Sequence, residues 1–118
     1  MFIAASLLSG LWALVHIFAG GAQVAAPLRA APMDTVVRET ALLVWHMTSF
    51  VLLFLTGLFA WAAVSGEVIL AWAGLVLSGG LTAVGIGLQI GRRLPFAVLP
   101  QGWLFVPVTA LAVVGVMR

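Results

Sequence analysis

"ALLVWHMTSFVLLFLTGLFAWAAV", residues 41–64, decides the fold. No Asp, Glu, Lys or Arg interrupts it. Wound as an α-helix it extends about 36 Å at a rise of 1.5 Å per residue. The hydrocarbon core of a bilayer is about 30 Å thick and takes roughly 17–25 apolar residues to cross. The stretch therefore reads as a membrane span, and the rest of the chain has the same character.

Of the 118 residues, 64% are hydrophobic and 7% are charged. Water-soluble domains carry about 25% charged residues, so this chain lacks the polar side chains to cover itself against water. The net charge of +2 comes from five arginines against three acids. They are scattered and do not form the clustered cationic face that nucleic acid requires. There is no cysteine, which excludes disulfides, zinc thiolates, iron–sulfur clusters and thiol nucleophiles. Lysine is also absent, which removes Schiff-base chemistry. Arginine as the sole strong cation, with heavy use of Ala, Gly, Val and Pro, points to a GC-rich bacterial genome and hence to the inner membrane.

Working outward from residues 41–64, three more spans are expected. The first runs from about Phe2 to Ala19 and stops at Gly20-Gly21, since glycine commonly terminates helices. Its start, "MFIAASLLSG", lacks the positive charge of a signal peptide and reads as a membrane helix. The third runs from about Val68 to Ile90, between Ser65-Gly66 and Gly91-Arg92-Arg93. The fourth runs from about Gly102 to Met117, short and with Pro107 inside it. Asp34 has the character of an N-cap, so the second helix is expected to begin near residue 34, ahead of its apolar part. "AQVAAPLRAAP" (22–32), with Pro27 and Pro32, reads as a loop carrying at most a short surface helix.

The predicted object is an all-α integral membrane protein. Its single domain, residues 1–118, holds four transmembrane helices in an up-down-up-down bundle. Arg29 and Arg38 fall in the first loop and Arg92 and Arg93 in the third. Only Glu67 and Arg118 lie on the other side. The positive-inside rule then places loops one and three in the cytoplasm and both termini outside.

The third span carries two rows of small residues at a spacing of four: Gly74, Ser78 and Thr82, and Ala83, Gly87 and Gly91. Such rows let helix backbones approach closely. One row serves a bundle core. The other leaves room for contact with a second copy or a larger membrane complex.

The two histidines, His16 and His46, both fall inside apolar runs beside a tryptophan, Trp12 and Trp45. At 1.5 Å per residue each lies roughly 6–8 Å from the same end of its span. Glu39, Ser49 and Gln89 complete the polar inventory of that end. Helical spacing puts Ser9, Trp12, His16 and Gly20 on one stripe, and Glu39, Leu42, His46, Ser49, Leu53 and Thr56 on another. Both stripes are expected to face inward, because lipid contact would strand polar groups. Four readings stay open. The histidines tie two helices together; or they bind a small ligand, a quinone or lipid head group, with Trp12 or Trp45 stacking on it. They ligate a haem b axially, or a metal with help from Glu39. They relay a proton or ion in transport. No paired carboxylates, phosphate loop or activated nucleophile is present. A non-catalytic binding or accessory role is the expectation.

Overall fold

The computed structural model describes residues 1–118 and is helical with no strand. The first helix is composite: α1 (Phe2–Leu14), a π-helical stretch (Val15–Ala25) and a last α-helical turn, α2 (Ala26–Ala30). Then follow α3 (Thr35–Ser65), α4 (Val68–Gly91), a 3-10 turn (Pro100–Trp103) and α5 (Phe105–Val116). Three helices, Phe2–Ala30, Thr35–Ser65 and Val68–Gly91, are long and apolar enough to cross a membrane, and Pro100–Val116 is a shorter apolar helix. This fits an integral membrane protein.

Burial points the same way. Only 15 of 118 residues are buried, and large apolar side chains such as Leu7, Phe18, Val64 and Val76 are exposed. In water that surface would be an aggregation liability; against lipid it costs nothing. The longest dimension, 50 Å, is close to the roughly 46 Å that α3 spans at its 31 residues. That exceeds the hydrocarbon thickness. The first turns of α3, with Arg38 paired to Glu39 at 3.1 Å, form its polar end.

Local chemistry explains the boundaries. Asp34 Oδ1 accepts from the Val36 N–H at 2.8 Å and starts α3. Gly66 ends it in the left-handed region at φ 74, which glycine enters without the cost of a Cβ. α4 closes with Arg93 N–H donating to Ile90 O and Leu94 N–H donating to Gln89 O. That is the Schellman pattern. The left-handed position at its centre, usually glycine, is Arg93 at φ 52. Pro107 falls in the first turn of α5, where its missing N–H has no intrahelical partner to lose.

The first helix corrects the sequence expectation. It does not stop at Gly20-Gly21, and residues 22–30 are not a loop. Neither glycine takes a positive φ, so neither caps. The helix widens to i→i+5 bonding, with Ala26 N–H donating to Gly21 O. Pro27, which has no N–H, sits where the bonding changes back. The helix ends at Ala31, extended at ψ 135, directly before Pro32. A residue preceding proline is excluded from the α region by the ring.

α1 packs on α3, α3 on α4, α4 on α5, and α5 returns to α1. Paired contacts run in opposite sense along the composite first helix and α3: Ser6 and Ser9 meet Thr56, whereas His16 meets Trp45. Along α4 and the segment from the 3-10 turn through α5 they do the same: Thr82 meets Thr109 and Gly85 meets Gly102. The centre is Ala5, Leu55, Phe59, Val108 and Ala112. Gly74 and Ser78 are buried on the inner side of α4, where the Phe59 ring lies over Gly74. Ala83, Gly87 and Gly91 face outward, and a Cβ added at Gly87 or Gly91 would meet nothing. The two rows thus separate into one that packs the bundle and one that no part of this chain covers.

Candidate functional site

The structure builds its most distinctive polar contact around His16 and Trp45, not around two histidines. The imidazole of His16 stacks on the indole of Trp45, with ring centroids 4.0 Å apart and planes 17° from parallel. His16 Nε2 lies 3.4 Å from the Trp45 carbonyl oxygen and donates to it in the Nε2–H tautomer. Ser49 Oγ donates to that same oxygen at 3.1 Å. A carbonyl has two lone pairs, so both bonds are accommodated.

Two features of the first helix make this stack fit. His16 is the second residue of the π-helical stretch, a geometry frequent at functional sites. One turn on, Gly20 lies beneath the indole, and a Cβ there would come within 2.8 Å of the Trp45 ring. Gly20 therefore acts by its smallness and not as a helix stop.

His46 is elsewhere. It is exposed and makes no hydrogen bond or stack. On a helix it points about 100° away from its neighbour Trp45. The inward face of α3 is Trp45, Ser49, Leu52, Leu55, Phe59 and Ala62, of which Leu52, Leu55, Phe59 and Ala62 are buried. The expected inward stripe through Glu39, His46 and Leu53 is wrong for those three residues, all of which are exposed. The stripe on the first helix is correctly placed: Ser9 is buried, and Trp12, His16 and Gly20 are partly buried.

The remaining candidates are spread out. Trp12 packs against the bundle centre, with its indole Nε1 enclosed and without an acceptor. Glu39 pairs with Arg38 at the exposed start of α3. Gln89 is buried near the end of α4, its Oε1 enclosed and without a donor. Thr82 joins Thr109 of α5, 3.1 Å between hydroxyl oxygens, and donates to Ser78 O.

This arrangement limits the chemistry. No three His, Asp or Glu side chains converge, as a structural metal site would need. Bis-histidine haem ligation needs two imidazoles facing one another across a gap. Here one is covered by an indole and the other points outward, so His16 and His46 of one chain do not fit a bis-histidine haem. A proton relay would need linked polar groups. The His16–Trp45–Ser49 group and the Ser6–Thr56–Ser9 group are separate, and no hydrogen bond joins them.

Sequence reasoning missed three features. Ser6 Oγ donates to Thr56 O at 3.1 Å, and Thr56 Oγ1 reaches Ser9 at 3.3 Å, tying α1 to α3. Gly85 and Gly102 bring two backbones together. Arg93 adopts a left-handed backbone. Only the glycines carried a signal, as helix-interior glycines with no other use. No protein-family model matches the chain, and no curated protein or solved structure gives a significant match to it.

Proposed function

We propose that the chain is a small membrane protein whose four apolar helices cross the bilayer up-down-up-down. In this reading it is a non-catalytic accessory component, seated against another membrane protein through the outward face of α3. The observation that carries this reading is His46. Its imidazole stands on an apolar, exposed face, among Leu43, Met47 and Phe50, with no partner in its own chain. Lipid tails offer it no hydrogen bond, and ionisable groups within spans mark functional positions by default. A neighbouring protein supplies the missing partner. The uncovered row of Ala83, Gly87 and Gly91 on α4 gives a further face suited to close helix contact.

His16 and Trp45 have a different role here. Their stack and shared carbonyl are satisfied within the chain, so they hold the first helix to α3 and keep the bundle in register. The arginines at 29, 38, 92 and 93 support loops one and three in the cytoplasm and both termini outside. The arginine-only basic composition supports a bacterial inner membrane.

His46→Leu tests the reading. Interhelical hydrogen bonds in membranes average about 0.6 kcal/mol and reach about 1.7, and His46 makes none within the chain. The variant is therefore expected to fold and melt like the wild type in mild detergent, yet to lose the protein that copurifies from native membranes. Unchanged copurification would overturn the accessory role. Loss of the fold itself would mean that His46 has a partner inside the bundle.

A further inference from the structure

At the end of α4 a cavity of about 510 Å³ opens between that helix, the turn that follows it and the 3-10 turn before α5. Gln89, Arg93 and Trp103 line it together with apolar side chains that include Ile90 and Phe96. We propose that this cavity binds the phosphodiester head group of an acidic phospholipid, with the lipid's apolar part along Ile90 and Phe96.

The polar lining is a set of donors. Arg93 has no carboxylate partner; Arg38–Glu39 is the ion pair of this chain. Its guanidinium carries five N–H groups and no acceptor. Gln89 is 7% exposed, and its Oε1 is shut in against Gly102, where an added Cβ would lie 3.0 Å from it. Its amide nitrogen is not among the enclosed atoms, and the residue lines the cavity. Trp103 brings an indole N–H. A guanidinium, with an indole and a side-chain amide in the same lining, suits an anion with several acceptor oxygens. Guanidinium recognises phosphate in particular.

The position selects a lipid over a soluble anion. The cavity adjoins the end of an apolar helix, and its rim includes Phe96 at 61% exposure. Basic pockets beside helix ends bind lipid head groups. Arg93 also occupies the position in the helix cap where glycine is the unstrained choice. Strain kept at such a site is a pointer to function, and it supplies a clean variant. Arg93→Gly removes the cation while making the backbone conformation easier to adopt.

The test uses the full chain in mild detergent, with native mass spectrometry reading the binding of phosphatidylglycerol, phosphatidylcholine and inorganic phosphate. Wild type is expected to hold one phosphatidylglycerol and to prefer it over phosphatidylcholine. One arginine near a surface contributes about a fivefold preference for anionic lipid. Arg93→Gly is expected to lose that preference while melting no lower than wild type, and Arg92→Gln, whose side chain is outside the cavity, to keep it. A preference unchanged in Arg93→Gly overturns the proposal, as does equal binding of the two lipids by wild type. Inorganic phosphate binding as tightly as phosphatidylglycerol would also overturn it, in favour of a soluble anion.

Discussion

Gly85→Leu is expected to separate α4 from the turn leading into α5 and to destabilise the bundle by about 3 kcal/mol, the upper part of the usual range for overpacking. A Cβ at Gly85 would lie 2.7 Å from the Gly102 Cα and 3.0 Å from its carbonyl oxygen. The obstruction is reciprocal, since a Cβ at Gly102 would lie 2.9 Å from the Gly85 oxygen. Both neighbours are backbone, so no side chain can rotate aside, and the 3-10 turn must move as a whole. That movement also uncovers Gln89, which lies against Gly102. Close backbone approach is a principal source of helix association in lipid. Thermal unfolding in mild detergent measures the loss. Gly80→Leu is the control, because a Cβ there meets nothing. Equal melting of the two variants would mean that the Gly85–Gly102 contact does not hold α4 and α5 together.

Phe59→Ala is the second large effect, expected at about 3 kcal/mol. Phe59 is fully buried in the central cluster, with its ring seated over Gly74. Truncating a buried Phe in a water-soluble core costs about 3–5 kcal/mol, which combines transfer from water with the cavity left behind. In a bilayer the unfolded helices are already in an apolar solvent, so the cavity and the lost contacts carry the cost, and the lower end applies. Phe59→Leu should recover most of the stability. Gly74→Ala should disturb the same contact from the other side, because its Cβ would fall 2.6 Å from the ring. A Phe59→Ala variant that melts with wild type would mean that α3 and α4 do not meet there.

Three of the four expected spans were legible in the sequence as helices long and apolar enough to cross a membrane, because hydrocarbon sets one requirement, a long apolar run; the fourth, Pro100–Val116, is shorter. The ends at Asp34 and Gly66 were legible for the same kind of reason: a carboxylate able to cap and a glycine free to take φ 74. Gly20-Gly21 shows the limit. Glycine permits a helix stop but also permits close approach, and the choice depends on Trp45, a residue distant in sequence. Helical faces were read less well. Ser and Thr on α3 carry little information about facing, because each can donate to the carbonyl one turn back. Thr48 does so to Val44 O at 2.9 Å and Thr56 to Leu52 O at the same distance. A hydroxyl satisfied in that way tolerates lipid. Taking Ser49 and Thr56 as inward was correct, and carrying His46 with them was not. The two histidines matched in depth, but depth says nothing of rotation about a helix axis, and a step of one residue turns a side chain by about 100°. Trp45, one residue earlier, is the one that meets His16.

The most direct measurement places a photo-crosslinking amino acid at position 46 and irradiates native membranes, with position 7, where Leu7 is exposed on the first helix, as the control. A discrete crosslinked protein is expected from position 46, either a second copy or a different subunit, and only lipid adducts from position 7. An adduct from position 46 to the first helix of the same chain would contradict it, because His46 would then face into the bundle. Lipid adducts alone from position 46 would contradict it too, because no protein would cover that face.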